Sequence, residues 1–209
     1  MSLERPDSDD DRIMLGVLQA VGDGQVRSQR HLASELGIAV GLANAYMKRC
    51  VRKGLMKVSE VPARRYAYYL TPQGFSEKAR LTAEYLSVSF SFFRVARADC
   101  AEAIRHASER GWQRMALIEC SEVAEIAALC ALESGASIAG VADPRCPAPR
   151  FVGLPVVRRL EDLSDIDCAL VCSLADSLAA HDGACALLGP ERVLVPQFLR
   201  RAWGRPLHG

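Results

Sequence analysis

The stretch Ser28 to Met56, SQRHLASELGIAVGLANAYMKRCVRKGLM, decides how the chain reads. Ser28 is a good N-cap, because its hydroxyl can accept a hydrogen bond from an amide of the first helical turn. Leu32, Ala33 and Leu36 then recur at helical spacing and predict a helix to about Leu36. Gly37 supplies the positive φ that a sharp helix-to-helix turn needs, and Ile38 is expected to plug the core between the helices. The next helix is predicted from about Val40 to Lys53, with Gly54 ending it. Ala43, Tyr46 or Met47, Cys50 and Val51 should face inward. That leaves Gly41, Asn44, Ala45 and Lys48 on the outer face. Small residues at Gly41 and Ala45 allow close approach to a groove, and the Asn44 amide can pair with N6 and N7 of adenine. Lys48, Arg49, Arg52 and Lys53 suit phosphates, which position a helix without reading bases. Gln29 and Arg30, at the start of the first helix of the pair, complete the candidate DNA-binding set on these helices.

On the amino-terminal side, Asp11 to Val21 reads as a short amphipathic helix with Ile13, Leu15, Val17, Leu18 and Val21 inward, stopped by Gly22 and Gly24. On the other side, Met56 to Ser59 and Tyr66 to Leu70 are candidate strands of an antiparallel pair. Arg64 and Arg65 would stand near its tip, within reach of a minor groove or its phosphates. Charge follows the same boundary. From Arg27 to Arg65 nine Lys and Arg face two acids, a net +7, while the remainder carries −6 and the whole chain +1. A basic segment beside an acidic remainder is the footprint of a nucleic-acid module joined to something else.

The phrases SQRHLASELGIA, RKGLMKV and YAYYLTPQGFSEKARLTAEYL resemble MarR-type winged-helix regulators, in particular the subgroup associated with exopolysaccharide gene clusters. The resemblance runs from about Arg12 to Leu86, and YYLTPQGFSEKARLT is its most specific part. It implies a cytoplasmic transcription regulator acting on surface-polysaccharide genes. The short wing departs from the family pattern and leaves Arg64 and Arg65 as its minor-groove contacts.

Thr71 and Pro72 read as cap and first turn of a long helix that nothing strongly breaks before about Arg110. Leu81, Tyr85, Val88, Phe92 and Val95 form one apolar stripe on it. Such a band must be covered, and a second copy of the chain is the expected cover. The alternation in SVSFSFF also suits a strand, so a bend or break near Ser87 to Ser91 is anticipated.

After Gly111 the rhythm becomes strand and helix in alternation. Strands are predicted at Arg114 to Glu119, Ser137 to Ala142, Leu154 to Val157, Cys168 to Ser173 and Arg192 to Pro196. Helices are predicted at Glu122 to Ser134 and Ala175 to Leu188, with a single turn at Leu160 to Leu163. This argues for a parallel sheet covered on both faces, with its first strand central. Asp143 at a strand end, the phrase FVGLPVV and the LEDL…DIDCALVCSLAD run resemble small Rossmann-type units. Such units occur in CoA-binding domains, the amino-terminal part of sugar acyltransferases and Rex repressors. The predicted fold is thus an α+β winged helix-turn-helix domain (1–72), a linker or dimerisation helix (73–111) and an α/β Rossmann-like parallel-sheet domain (112–209).

Where Rossmann folds carry G-x-G-x-x-G, this chain has Glu119, Cys120, Ser121, Glu122, Val123 and Ala124. A carboxylate about 4–6 Å from a phosphate repels it by roughly one to a few kcal/mol. That offsets the attraction of the helix terminus and predicts weak or no NAD(H) binding. Glu119, Ser121, Asp143 and Ser173, all near strand ends, are the candidate ligand-binding residues, and no cofactor is expected. The four histidines have no metal-ligand spacing, and neither a metal site nor a catalytic set is predicted. The eight cysteines include no C-x-x-C pair and read as buried free thiols of a reducing compartment. No apolar run reaches membrane-spanning length, and the acidic start SLERPDSDDD is unlike a signal peptide. The expected partners are double-stranded DNA, a second copy of the chain and a small-molecule effector not identified by the residues. A Rex-like nucleotide-sensing repressor and a protein-interaction adaptor with a non-DNA-binding winged helix are the alternatives.

Overall fold

The computed structural model describes residues 8–203 except 25, 27 and 62–64; the side chains of 8, 9, 60, 61 and 65 are likewise outside the description. Residues 1–7 of the expected acidic lead-in and the end of the basic tail therefore lie outside the described residues, as does Arg64, whereas Ser8 to Asp11 are the first turn of a helix and not the solvated lead-in expected. Contacts divide the chain into two units, 1–90 and 91–209, with the boundary inside the long helix rather than on either side of it.

The first unit opens with α1 (Ser8–Gly22), α2 (Gln29–Glu35) and α3 (Val40–Arg52). α1 begins earlier than the apolar pattern alone predicts and buries Met14, Val17 and Leu18 almost completely. Leu32 and Ala33 of α2, and Ala43, Met47 and Cys50 of α3, close the core against it. Tyr46 and Met47 are both inward, so neither alternative is excluded by the other. Val51 departs from expectation: it is 38% exposed, because it falls at the edge of the stripe formed by the four buried positions before it. Strands β1 (Met56–Val61) and β2 (Arg65–Leu70) pair antiparallel over six residues each, longer than predicted. Met56 faces Leu70 and Val58 faces Tyr68 across the pair, and Tyr68 and Leu70 pack on the core.

Helix α4 (Pro72–Glu109) is helical over all 38 residues, so the anticipated break at Ser87 to Ser91 does not occur. No Gly or Pro interrupts that segment, and a helix already propagating on both sides imposes its period on it. Leu81 belongs to the core of the first unit; Ala96, Cys100, Ile104 and Ala107 belong to that of the second. The start of α4 is tightly specified. Thr71 Oγ1 accepts from the Gly74 amide at 3.0 Å and donates to the Gly54 carbonyl at 2.7 Å. A Cβ on Gly74 would stand 2.0 Å from the Leu55 carbonyl oxygen, so only glycine allows this approach.

In the second unit, β3 (Arg114–Ile118), β4 (Ser137–Ala142), β6 (Leu154–Val157), β7 (Cys168–Val171) and β8 (Val193–Leu194) run parallel. A two-residue strand β5 (Arg150–Phe151) folds antiparallel onto β6, and the order is β5-β6-β4-β3-β7-β8. The first strand is central, as expected. β7 and β8 are shorter than predicted, since Ser173 and Pro196 leave the ladder at either end. The sheet separates two cores by strict alternation. Met115, Leu117, Cys168 and Leu170 face α4 and α5 (Glu122–Ser134), whereas Ala116, Ala169 and Val171 face α6 (Ser177–Leu188) and α7 (Gln197–Ala202). β5 and α7 were not foreseen. The turn before β6 uses positive φ at Val152 (44°) and Gly153 (83°), and a β-branched residue in that role hides a hairpin that Asn-Gly would advertise. α7 docks through buried Leu199, and the Trp203 indole donates to Ser177 Oγ at 2.7 Å. Among the described residues no helix is long and apolar enough to cross a membrane.

Gly74→Ala separates packing from helix propensity. Propensity alone favours alanine by about 1 kcal/mol. The contact with a backbone carbonyl reverses the sign, and overpacking of this kind costs about 1–3 kcal/mol. Urea denaturation of the variant is expected to show a lower midpoint; an unchanged or raised midpoint contradicts the close approach.

Candidate nucleic-acid interface

The turn between α2 and α3 is built by local chemistry. Ser28 Oγ accepts from the His31 amide at 3.1 Å and starts α2. Gly37, at φ 63°, ends it, and the Gly37 and Ile38 amides return to the Ser34 and Ala33 carbonyls at 3.3 and 3.0 Å. This pair of bonds satisfies carbonyls that the helix end would otherwise orphan. The same device closes α3, where Gly54 has φ 72° and the Leu55 amide reaches the Cys50 carbonyl at 2.9 Å.

α3 presents Gly41, Ala45, Lys48 and Arg52 on one exposed stripe, and Arg30 of α2 is exposed as well. Asn44 is half-buried, and its Oδ1 accepts a long, 3.4 Å bond from Gln29 Nε2. That contact ties the first turns of the two helices and orients the Asn44 amide. Arg49 takes a different place from the other cations. Its Nη1 donates to both carboxylate oxygens of Asp10 of α1, at 2.8 and 2.7 Å, and the Tyr46 hydroxyl donates to the same carboxylate. The Tyr46 hydroxyl, followed by the Arg49 and Lys53 charges, holds the Asp10 carboxyl below its usual range despite partial desolvation. This node was not legible from spacing, because Asp10 lies in the acidic lead-in that reads as solvated. On the wing, Arg65 pairs with Val61 in the strand register. Tyr66 and Tyr69, 62% and 57% exposed, are two aromatic surfaces beside it that the sequence reading passed over.

The other predicted residues converge at the carboxyl end of the parallel sheet. There the strand order reverses beside β3, the place where open α/β sheets form a crevice. Glu119 and Ser121 follow β3, Asp143 follows β4 and Ser173 follows β7. Each already has a partner. Ser121 Oγ accepts from the Ala124 amide at 3.2 Å and donates to the Cys172 carbonyl at 2.7 Å, which caps α5 and bridges the crevice. The first turn of α5 also carries Glu122 and Glu125 at its positive end. Buried Asp143 accepts from the Cys120 amide at 3.0 Å and the Arg145 amide at 2.8 Å. Buried Ser173 accepts from the Asp176 amide at 3.2 Å. Glu119, at φ 79°, reaches the Arg145 guanidinium at 2.5 Å. The terminus that would hold a phosphate is thus occupied by the chain's own carboxylates and hydroxyl.

One row of chemical groups was also missed. On α6, Cys185 Sγ lies 3.3 Å from His181 Nε2, and His181 Nδ1 lies 2.9 Å from Asp182. Burial, with Asp182 and Glu191, pushes the Cys185 thiol up, so it is held as a neutral thiol and not as an activated nucleophile. No group of three or more metal-ligating side chains occurs among the described residues.

No protein-family model and no curated protein matches the chain. Among solved structures, a mutant of S. aureus MepR is similar at 20% identity and a TM-score of 0.34, covering 41% of this chain and 63% of that one. S. aureus MepR bound to ethidium bromide is similar at 22% identity and 0.32, over 43% and 66%. The zinc-dependent MarR-family transcriptional regulator AdcR in its Zn(II)-bound state is similar at 16% identity and 0.33, over 46% and 64%. The chain spans less than two thirds of the length of each of these proteins, and the likeness falls on its amino-terminal part.

Two measurements check the site. Asp10 has a folded pKa below its unfolded value near 4, so its pairing stabilises the fold above that pH and is lost as pH falls through the folded value. The pair is about two-fifths exposed, so its worth is under about 1 kcal/mol. Asp10→Asn is expected to lower the denaturation midpoint at pH 7, and its difference from the parent should shrink progressively as pH falls below about 4. Ser121→Ala removes a cap and should cost about 1 kcal/mol; a smaller loss than a few tenths, read by the same denaturation, contradicts the bridge described above.

Proposed function

We propose that the chain is a DNA-binding transcriptional regulator that acts as a homodimer. The observation that carries this reading is the exposed stripe of α3: small Gly41 and Ala45 beside basic Lys48 and Arg52, presented by a turn closed at Gly37. Small residues admit the helix to a major groove, Asn44 supplies the amide that reads adenine, and Lys48, Arg52 and Arg30 meet phosphates. Arg49 serves differently, holding α3 against α1 through Asp10. Arg64 and Arg65 are proposed to reach the adjacent minor groove from the wing.

The homodimer is supported by α4, which leaves Tyr85, Leu86, Val88 and Phe90 exposed in the first unit, at 57%, 44%, 43% and 59%. Val88 and Phe90 point to opposite sides of the helix, so the exposed apolar surface is a broad band, and a band of this kind is a protein-interaction surface. Two copies related by a two-fold axis would meet half-sites about 34–36 Å apart. The second unit is proposed as a degenerate Rossmann-like domain that acts as a scaffold or takes a small effector other than a dinucleotide. The Ser121 bridge and the carboxylates beside it support that reading over a nucleotide-sensing repressor. A cytoplasmic location and control of surface-polysaccharide genes rest on the resemblance of the amino-terminal phrases alone.

The test is binding to the DNA upstream of the protein's own gene at two salt concentrations. Binding should resist random competitor DNA and weaken with salt, each phosphate contact adding about 0.9 to the log–log slope. Lys48→Ala and Arg52→Ala should each lower the slope by roughly that amount and leave sequence preference unchanged, while Asn44→Ala should relax preference at one position. Binding no better than to random DNA, with the slope unmoved by either substitution, refutes the proposal.

A further inference from the structure

Two cysteines that the regulatory reading does not use lie side by side at the carboxyl end of the sheet. Cys120 is the second residue after β3, and Cys146 sits in the loop that follows the neighbouring strand β4. One carboxylate, that of Asp143, accepts both the Cys120 amide, through Oδ2 at 3.0 Å, and the amide of Arg145, the residue before Cys146, through Oδ1 at 2.8 Å, and so brings the two loops together. Arg145 in turn pairs with Glu119 at 2.5 Å. The residue before each cysteine is therefore bonded to the residue before the other. Pro144, Pro147 and Pro149 restrict the loop on both sides of Cys146. Five of the eight cysteines (Cys50, Cys100, Cys130, Cys168 and Cys172) are buried, whereas Cys120 and Cys146 are both partly open to solvent.

We propose that Cys120 and Cys146 are a redox-active dithiol that a low-molecular-weight disulfide oxidises reversibly to an intramolecular disulfide. The Cys146 thiolate attacks one sulfur of the small disulfide, whose S–S bond breaks and releases one thiolate. Cys120 then loses its proton to solvent and attacks the Cys146 sulfur, releasing the second small thiolate. Two protons and two electrons pass from the protein to the small molecule, which leaves as two thiols. An excess of a small dithiol runs the sequence backwards. Cys120, whose amide is fixed by Asp143 at the end of β3, is the resolving partner of Cys146 on the outer loop, and burial, then Cys146 and Asp143, push the Cys120 thiol up. Only the thiolate attacks, so ring closure should speed up about tenfold per pH unit across the neutral range.

The experiment incubates the reduced full chain with oxidised glutathione, quenches with an alkylating agent and maps the peptides by mass. The expected product has lost two hydrogens and two alkylatable thiols, with Cys120 linked to Cys146. Cys120→Ser should stop at a stable glutathione adduct on Cys146, and Cys146→Ser should form neither disulfide nor adduct at Cys120. Should a variant fail to fold, the peptide map and pH dependence of the parent still decide. The proposal is overturned if the parent keeps both thiols alkylatable where a reference dithiol is fully oxidised. It is equally overturned if the parent stops at the mixed disulfide, or if the link joins any other pair.

Discussion

The Leu55 carbonyl and Gly74 meet where no side chain fits, and the first unit is arranged around that contact. Residue 55 follows the turn that ends α3, and residue 74 lies in the first turn of α4. A Cβ at 74 would stand 2.0 Å from the carbonyl oxygen, so α4 can begin there only because the residue is glycine. Thr71 reinforces the junction by donating to the Gly54 carbonyl while capping α4. The end of α3, the base of the β1–β2 pair and the start of the long helix are therefore held at one point. The Thr and Gly of the phrase YYLTPQGFSEKARLT both serve this junction, Thr71 through its hydroxyl and Gly74 through the absence of a side chain.

The second unit has the topology of a ligand-binding sheet and fills the usual place with its own groups. In open α/β sheets the crevice beside the first strand takes an anion because amides at a helix start are unsatisfied there. Here the Ser121 hydroxyl satisfies the Ala124 amide and spans to β7, and acids occupy the first turn of α5. A phosphate would have to displace a hydrogen bond and approach two carboxylates. The same segment brings Glu119 to Arg145 and, through Asp143, ties the loop of Cys120 to that of Cys146.

Much of this architecture is legible in the sequence because it is local. Ser28, Gly37, Gly54 and Thr71 start or end helices through bonds spanning a few residues, and each is placed by residue type alone. The buried stripe of α3 and the strand alternation of the second unit follow from periods that the chain itself carries. The turn at Val152 and Gly153 was hidden for the converse reason, since a β-branched residue rarely adopts positive φ.

The sequence by itself determined the helix-turn-helix, the basic charge of its segment, the strand-and-helix alternation and the loss of the glycine-rich loop. Each of these depends on residue type and on neighbours a few positions away. Only the tertiary structure decided that Arg49 is taken up by Asp10, that Ser121 bridges to β7 and that Asp143 holds two loops together. These pairs lie 39, 51 and 23 positions apart in the chain. Residue spacing says nothing about contacts at such separations; parallel crossovers and helix packing create them, and burial then selects which polar groups must meet.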